Sequence, residues 1–475
     1  MRKPDDPTGQ QHLDPLGDGV AAAPAPGIAS GPAHPGWRRE LAQPSLPEAY
    51  ATVRVPHAGG FWRTLRAFVG PGLLVAVGYM DPGNWATDLA GGARFGYTLL
   101  SVILIANFLA ILFQHLALKL GIATGRDLAQ ACRDHYSRRV TIVLWALCEV
   151  AISACDLAEV IGSAIGLNLL FGIPVVAGVL ITAMDVLVIL LLQSKGFRTL
   201  EAVVAALIFL IGACFAYELY LSRPHPVAVL AGMVPTPEIV TNPSMLYIAI
   251  GILGATVMPH NLYLHSSIVQ TRAFERTDDG RMQAIRYAGV DSAMALVGAF
   301  FVNGAILVVS AAAFHGTPYE NVADISDAYK LLSPILGTAL ASTLFALSLL
   351  ASGQNSTLTG TLAGQIVMEG FLDIRLRPWV RRLITRLLAI VPAVIVAGIY
   401  GERGVGSLLV LSQVILSLQL SFALVPLVLF TSDRNKMGRF VNSVPLKVGA
   451  WIATILIAVL NVYLLVQAVI EGLRG

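Results

Sequence analysis

An apolar run from Phe68 to Met80 is interrupted by Asp81-Pro82-Gly83-Asn84 and then resumes as a second, short helix-like run. Pro82 has no amide hydrogen and clashes with the carbonyl four residues back, and Gly83 frees the backbone, so a helix crossing a bilayer has to break here. Broken backbone at membrane depth is tolerated only where protein buries it or where it lines a cavity. A carboxylate at such a break costs about 2.5–3.5 kcal/mol on insertion scales, and its default reading is a site for an ion or a substrate. The interruption therefore predicts an integral membrane protein organised around a central site.

The composition agrees. Of the 475 residues, 56% are hydrophobic and 13% charged, and the mean hydropathy is +0.71, so the bilayer surrounds most of the surface. The net charge of +3 carries no message about nucleic acid, because its sign reflects where arginines sit relative to a membrane. Cys132, Cys148, Cys155 and Cys214 lie in or beside apolar segments without paired spacing; they read as small buried residues, with no disulfide framework or metal clip. Residues 1–60, rich in Ala, Pro, Gly and Asp, lack the periodicity needed to bury a face. They are expected to form a disordered cytoplasmic tail ahead of a transmembrane domain at 61–475. Arg2-Lys3 is followed by Pro4 and two aspartates, which is no signal peptide.

Eleven segments are long enough to cross about 30 Å of hydrocarbon. They lie near 66–93 (broken), 98–120, 140–167, 173–193, 200–221, 244–271 (broken), 289–313, 331–353, 384–400, 405–430 and 447–470. With the N-terminus inside, the cytoplasmic loops collect Arg126, Arg133, Arg138 and Arg139; Lys195 and Arg198; Arg276, Arg281 and Arg286; Arg375, Arg377, Arg381 and Arg382; and Arg434, Lys436 and Arg439. The outer loops hold only Arg94, Arg223, Lys330 and Arg403, with Arg474 at an external C-terminus. All eleven crossings obey the positive-inside rule together, which sets the orientation, and a cytoplasmic membrane is the expected location.

A second break mirrors the first. Ala255-Thr256-Val257-Met258-Pro259-His260 interrupts the sixth segment, five helices after the first break. Interrupted helices in corresponding positions of two halves point to an inverted-repeat transporter with its site at the midplane. Because five is odd, the halves have opposite topology and the eleventh helix is an addition. Pro259 cannot donate to the Ala255 carbonyl, which is left to face the cavity, and Met258 places a thioether beside it. Asp81 and Asn84 supply a carboxylate and an amide oxygen from the other break. One carboxylate, two neutral oxygens and one sulfur suit a divalent first-row metal ion, with softer ions such as Mn²⁺, Fe²⁺, Co²⁺ or Cd²⁺ favoured over Ca²⁺ and Mg²⁺.

Asp81-Pro82-Gly83-Asn84 and Met258-Pro259-His260-Asn261 resemble the two signature motifs of the Nramp (MntH-type) divalent metal transporters. The resemblance covers about residues 65–470. It includes Gly91-Gly92-Ala93, Thr124-Gly125-Arg126-Asp127-Leu128, Asp156-Leu157-Ala158-Glu159, Leu264-His265-Ser266, Ala351-Ser352-Gly353-Gln354 and Leu411-Ser412-Gln413-Val414. It implies an all-α, LeuT-like 5+5 inverted repeat with broken helices 1 and 6 and eleven transmembrane helices. The metal ion would be held by Asp81, Asn84, Met258 and the Ala255 carbonyl, with Gln413 joining in some states. Family branches that carry Mg²⁺ or Al³⁺ lack the methionine, so Met258 places this chain with the transition-metal branch. The chain departs from many relatives in carrying Ser421 where they have proline.

Glu149, Asp156 and Glu159 share one face of the third helix over about 15 Å of rise. Three carboxylates on one buried stripe are expensive unless they are paired or titrate. Arg272, Arg381 and Arg382 are candidate partners for them, and a structural ion-pair network is the bland alternative. By resemblance, Asp81, Asp156, Glu159 and His260 belong to a proton route, with Glu149 and the arginines further along it. The expected function is proton-coupled import of divalent transition metal, the partners being the ion, protons and the bilayer, with no other cofactor.

Rival functions are weaker. A sodium-coupled organic-solute symporter shares the architecture but gives no reason for Asp-plus-Met ligation. The HExxH zinc pattern and the G-x-S-x-G motif are both absent, which argues against an intramembrane hydrolase. A passive channel would not hold its ion in a four-ligand dehydrated site. Glu201 with Arg198 reads as an inner surface pair, Asn303 as a pore neighbour or helix–helix glue, and Gln114, His115 and Asp185 as structural. Glu320, Asp324 and Asp327 read as a solvated outer loop.

Overall fold

The computed structural model describes residues 36–40, 43–56, 60–182, 184, 195–320, 325–374, 380, 384, 387, 390–392, 394–395 and 405–474. The first expected span is built from α1 (Phe61–Phe68), α2 (Pro71–Gly78) and α3 (Pro82–Phe95). There follow α4 (Leu100–Thr124), α5 (Leu128–His135), α6 (Arg138–Phe171), α7 (Val175–Thr182) and α8 (Phe197–Ser222). The second broken span is α9 (Pro243–Thr256) plus α10 (Pro259–Ile268). The chain continues through α11 (Asp278–Phe314), α12 (Ile325–Leu336), α13 (Ala339–Leu372), α14 (Val405–Thr431) and α15 (Val444–Arg474).

Both breaks have the same local cause. Pro82 and Pro259 each sit at the first position of the outgoing half-helix, where the missing amide hydrogen has no carbonyl to serve. The two halves of the first span have 8 and 14 residues, too short to cross a bilayer singly. Among the described residues, seven spans are long and apolar enough by themselves. The central stretch of α13 is made polar by Ser352, Asn355, Ser356, Thr357 and Thr359, all buried within the protein. Most of the segment expected at 384–400, and the later part of that at 173–193, lie outside the described residues.

Burial separates the core from the lipid-facing rim. The second broken span is 94% buried inside the protein, against 33% for α8 and for α15. The exposed face of α15 carries Val448, Ile452, Ile455, Val459 and Val462, as a helix facing lipid requires. α11 packs on α2, α3 and α4, α13 runs along α6, and α14 touches α3, α6, α9 and α10. α14 thus reaches both breaks.

Residues 36–56 fall in the stretch expected to lack structure, yet the described ones are docked on the helical domain. The Ser45 hydroxyl donates to Asp127 at 2.6 Å, the Leu46 amide to Glu369 at 3.1 Å, and Gln130 to the Gln43 carbonyl at 2.8 Å. Leu46 and Ala49 are buried, and β1 (Val53–Arg54) pairs in parallel with β2 (Arg272–Ala273). Composition misled here because this segment uses backbone and single anchors, with no amphipathic period. Burial pushes the Asp127 carboxyl up to about 6, while the Ser45 hydroxyl and the Gln130 amide pull against that rise.

Arg272 corrects a sequence expectation. It does not reach the acidic face of α6; its side chain, wholly buried, lies at the junction of α1 and α2. It donates to the carbonyls of Ala67, Phe68 and Val69 at 3.2, 3.3 and 2.8 Å, and to Glu201 at 2.6 Å. A cation is favoured there because α1 presents its carbonyl end. Glu201 pairs with Arg198 as expected, but it is buried, not a surface group. Asp291, which the sequence reading overlooked, accepts the Gly70 and Gly72 amides at 3.3 and 2.7 Å and so caps α2. Arg272→Met should strand one oxygen of Glu201 and cost about 3–5 kcal/mol. Adding Glu201→Leu should recover most of that loss, measured as thermal unfolding of the purified full chain; a double variant no better than the single would contradict the pairing.

Candidate functional site

The two breaks meet. Asp81 is extended and caps α3, its Oδ1 accepting the Asn84 backbone amide at 2.8 Å. The Asn84 side-chain nitrogen lies 2.7 Å from the same oxygen, 3.2 Å from the Gly78 carbonyl and 3.0 Å from the Ala255 carbonyl. Three oxygens from both breaks thus surround one amide nitrogen, which has only two hydrogens. Asp81 Oδ2 is buried without a hydrogen-bond partner among the described residues. The Ala255 carbonyl, which Pro259 has no amide hydrogen to serve, accepts from the Asn84 side chain.

Met258 is wholly buried and takes a non-helical backbone conformation between α9 and α10. Its sulfur lies 3.6 Å from the Asn261 amide, and a Cβ placed on Gly78 would stand 3.1 Å from it. Since the Gly78 carbonyl faces Asn84, the thioether and the oxygen cluster share Gly78 as a neighbour. The other side of Met258 packs with Ala151, Ala154 and Cys155 of α6 and Leu416 of α14.

Gln413 arrives from α14. Its side chain covers Gly83 so closely that any β-carbon there would collide with it, and its backbone carbonyl abuts Gly254 of α9. The amide donates to Ser412 at 3.0 Å, while Oε1 is buried and without a hydrogen-bond partner among the described residues. Asn303 of α11 donates to Asn84 Oδ1 at 3.4 Å, and its own Oδ1 has no such partner. The Met80 carbonyl, orphaned by the first break, accepts from Trp85 at 3.2 Å and from Ser352 of α13.

The acidic face of α6 lies beside this centre. Asp156 and Glu159 are both buried and both point at Gly360 of α13, where a β-carbon would stand 3.0 Å from an oxygen of each. A β-carbon at position 360 would press the two carboxylates back by a few tenths of an ångström. Glu149, half-buried, accepts from Trp145 at 2.9 Å. His260 is brought to the same place: its Nε2 lies 3.8 Å from Cys155 Sγ, which lies 3.7 Å from Glu159 Oε1. While Asp156 meets Glu159 at Gly360, the structure links Glu159 to His260 through Cys155, which sequence alone marks only as a small buried residue. Its place four residues before Glu159 was the sole available signal. Arg381 and Arg382 lie outside the described residues. No cluster of three or more His, Cys, Asp or Glu that could hold a metal ion occurs among the described residues. The centre at the breaks is a mixed set with one carboxylate.

Comparison with known proteins bears on this arrangement. The model of the Nramp family, natural resistance-associated macrophage protein-like, matches residues 72–467. The divalent metal cation transporter MntH of Listeria monocytogenes is 62% identical over 429 residues, covering 90% of this chain and 96% of that one. The protein of the same name from Bradyrhizobium diazoefficiens is 61% identical over 436 residues, covering 92% and 97%. The crystal structure of the Eremococcus coleocola manganese transporter with an aromatic bis-isothiourea substituted compound superposes with a TM-score of 0.81 at 43% identity, covering 88% and 90%. Mhp1, a nucleobase-cation-symport-1 family transporter in a closed conformation, shares the fold alone, with a TM-score of 0.57 at 14% identity over 90% and 94%. The architecture is accordingly the all-α, LeuT-like inverted repeat of a multi-pass membrane protein, and the matched region holds both breaks and the acidic helix: the chain belongs to the Nramp family.

Proposed function

We propose that the protein is a secondary transporter that imports divalent transition metal ions, Mn²⁺ foremost and Fe²⁺, Co²⁺ and Cd²⁺ with it, and couples their entry to protons. One observation carries the metal reading: oxygens of Asp81, Gly78 and Ala255 converge on a single point between two helix breaks, with an unpartnered carboxylate oxygen and a thioether at its edge. The Asn84 nitrogen occupies that point. Turning the Asn84 and Asn303 amides over together would send the Asn84 oxygen to the ion and let its nitrogen donate to Asn303 Oδ1. Asp81, Asn84, Ala255 and Met258 then form the binding set, and Gln413, poised over Gly83, is placed to join it. Relatives named as divalent metal cation and manganese transporters support the choice of substrate.

The proton part rests on α6. On this reading Asp81 releases its proton as the ion binds, and the proton leaves along Asp156 and Glu159, with Cys155 linking Glu159 to His260. The carrier lies in a cytoplasmic membrane with its N-terminus inside and its C-terminus outside, so the membrane potential and proton gradient drive metal inward. The test is Mn²⁺ uptake by proteoliposomes containing a pH dye. The parent protein should acidify the lumen as it takes up metal. An Asp156→Asn/Glu159→Gln variant should move several-fold fewer protons per Mn²⁺; an unchanged ratio would remove this route. Uptake that needs Na⁺ and an organic solute would instead favour the symporter reading.

A further inference from the structure

A cavity of about 510 Å³ opens on the inner face beside the α1–α2 junction, lined by none of the residues at the two breaks and unused by the transport reading. Four guanidinium groups line it: Arg54 of β1, Arg63 and Arg66 of α1, and Arg198 of α8. The single carboxylate there, Glu201, is already held by Arg198 at 3.0 Å and by Arg272 at 2.6 Å. Among the described residues, Arg54, Arg63 and Arg66 meet no carboxylate, so the cavity carries an uncompensated positive charge. Its remaining wall is apolar, with Leu73, Ala202 and Ala205 among the lining residues.

The neighbourhood fixes what kind of anion fits. Phe61 and Trp62, the first residues of α1, are 44% and 76% exposed although both are large and aromatic. Exposed aromatic rings at the inner end of a spanning segment mark the headgroup level of a bilayer. Basic pockets between transmembrane helices on that side suit the phosphate of an anionic lipid, because the planar guanidinium forks match phosphate oxygens in pairs. A soluble phosphate would use the arginines but not the apolar wall.

We infer that this cavity is a binding site for the phosphate headgroup of an anionic phospholipid, with Arg54, Arg63 and Arg66 as its ligands, Arg198 adding charge from behind while it holds Glu201 and the α1 carbonyls, and Leu73, Ala202 and Ala205 bedding the glycerol and first acyl carbons. A headgroup held between α1 and α8 adds a tie across the junction that Arg198 and Arg272 already bind through the Ala67 and Val69 carbonyls. The inference needs the membrane fold but not the metal site, so the two can fail separately.

Native mass spectrometry of the full chain, released from nanodiscs of mixed phosphatidylglycerol and phosphatidylcholine, tests it. The parent should retain phosphatidylglycerol in preference, and Arg63→Gln/Arg66→Gln should lower that retention about tenfold or more. Arg63→Lys/Arg66→Lys, which keeps the charge and loses the forks, should fall between them. Arg138→Gln/Arg139→Gln, in another inner loop, should retain lipid like the parent. Equal losses from both glutamine pairs would mean a diffuse surface potential and would overturn the pocket. Displacement of the lipid by millimolar inorganic phosphate, or phosphate binding without lipid preference, would assign the site to a soluble anion and overturn the lipid reading. Retention unchanged in every variant would overturn it outright.

Discussion

Asp81→Asn is expected to abolish metal uptake while leaving the protein folded. Asparagine is as good an N-cap as aspartate, so the bond to the Asn84 amide that starts α3 is kept and only the charge is lost. At an effective dielectric of about 20, a divalent ion and a unit charge about 4 Å apart attract by roughly 8 kcal/mol. If a third of that survives desolvation, the change is worth about a hundredfold in affinity. Asp81→Ala removes the cap as well and should cost about 1 kcal/mol of stability besides. Mn²⁺ uptake by Asp81→Asn proteoliposomes within a few-fold of the parent would show that the carboxylate charge does not hold the substrate.

The second large effect concerns selectivity. Met258→Ala should keep part of the Mn²⁺ uptake but admit competition by Ca²⁺ and Mg²⁺ at concentrations about tenfold lower than the parent tolerates, because an all-oxygen shell no longer disfavours hard ions. Met258 is fully buried against Cys155 and Leu416, so truncation also opens space. Met258→Leu separates the two causes, since it nearly preserves volume and removes only the sulfur. Both variants should lose discrimination alike. Discrimination lost by Met258→Ala but kept by Met258→Leu would assign it to packing, and discrimination kept by both would end the sulfur-filter account.

The parts of this architecture that were legible in sequence are those with a local cause. A proline beside a carboxylate or a methionine inside an apolar run is visible without any tertiary knowledge, and both breaks lie where Pro82 and Pro259 put them. Asp156 and Glu159 were readable as one helical face, though not that both meet α13 at Gly360. Arg272 was misplaced because its position at the C-terminal end of the second broken span fits two partners equally well. Only packing reveals that the α1 carbonyl end and Glu201 engage it. Asp291 and Cys155 were passed over for the same reason: each is a single polar residue in a long helix, and its role comes entirely from the neighbour it meets. The docking of residues 43–56 was hidden because no hydrophobic period announces a segment held by Ser45, Leu46 and a two-residue strand.

The central claim is that the substrate ion sits between the two breaks. Anomalous diffraction at the manganese edge, from crystals of the parent and of Asp81→Asn grown with Mn²⁺, tests it most directly. A peak enclosed by Asp81, Asn84, the Ala255 carbonyl and Met258 Sδ in the parent, and absent from the variant, is the predicted result. A peak elsewhere in the molecule, or one at the breaks that survives loss of the carboxylate, would contradict it.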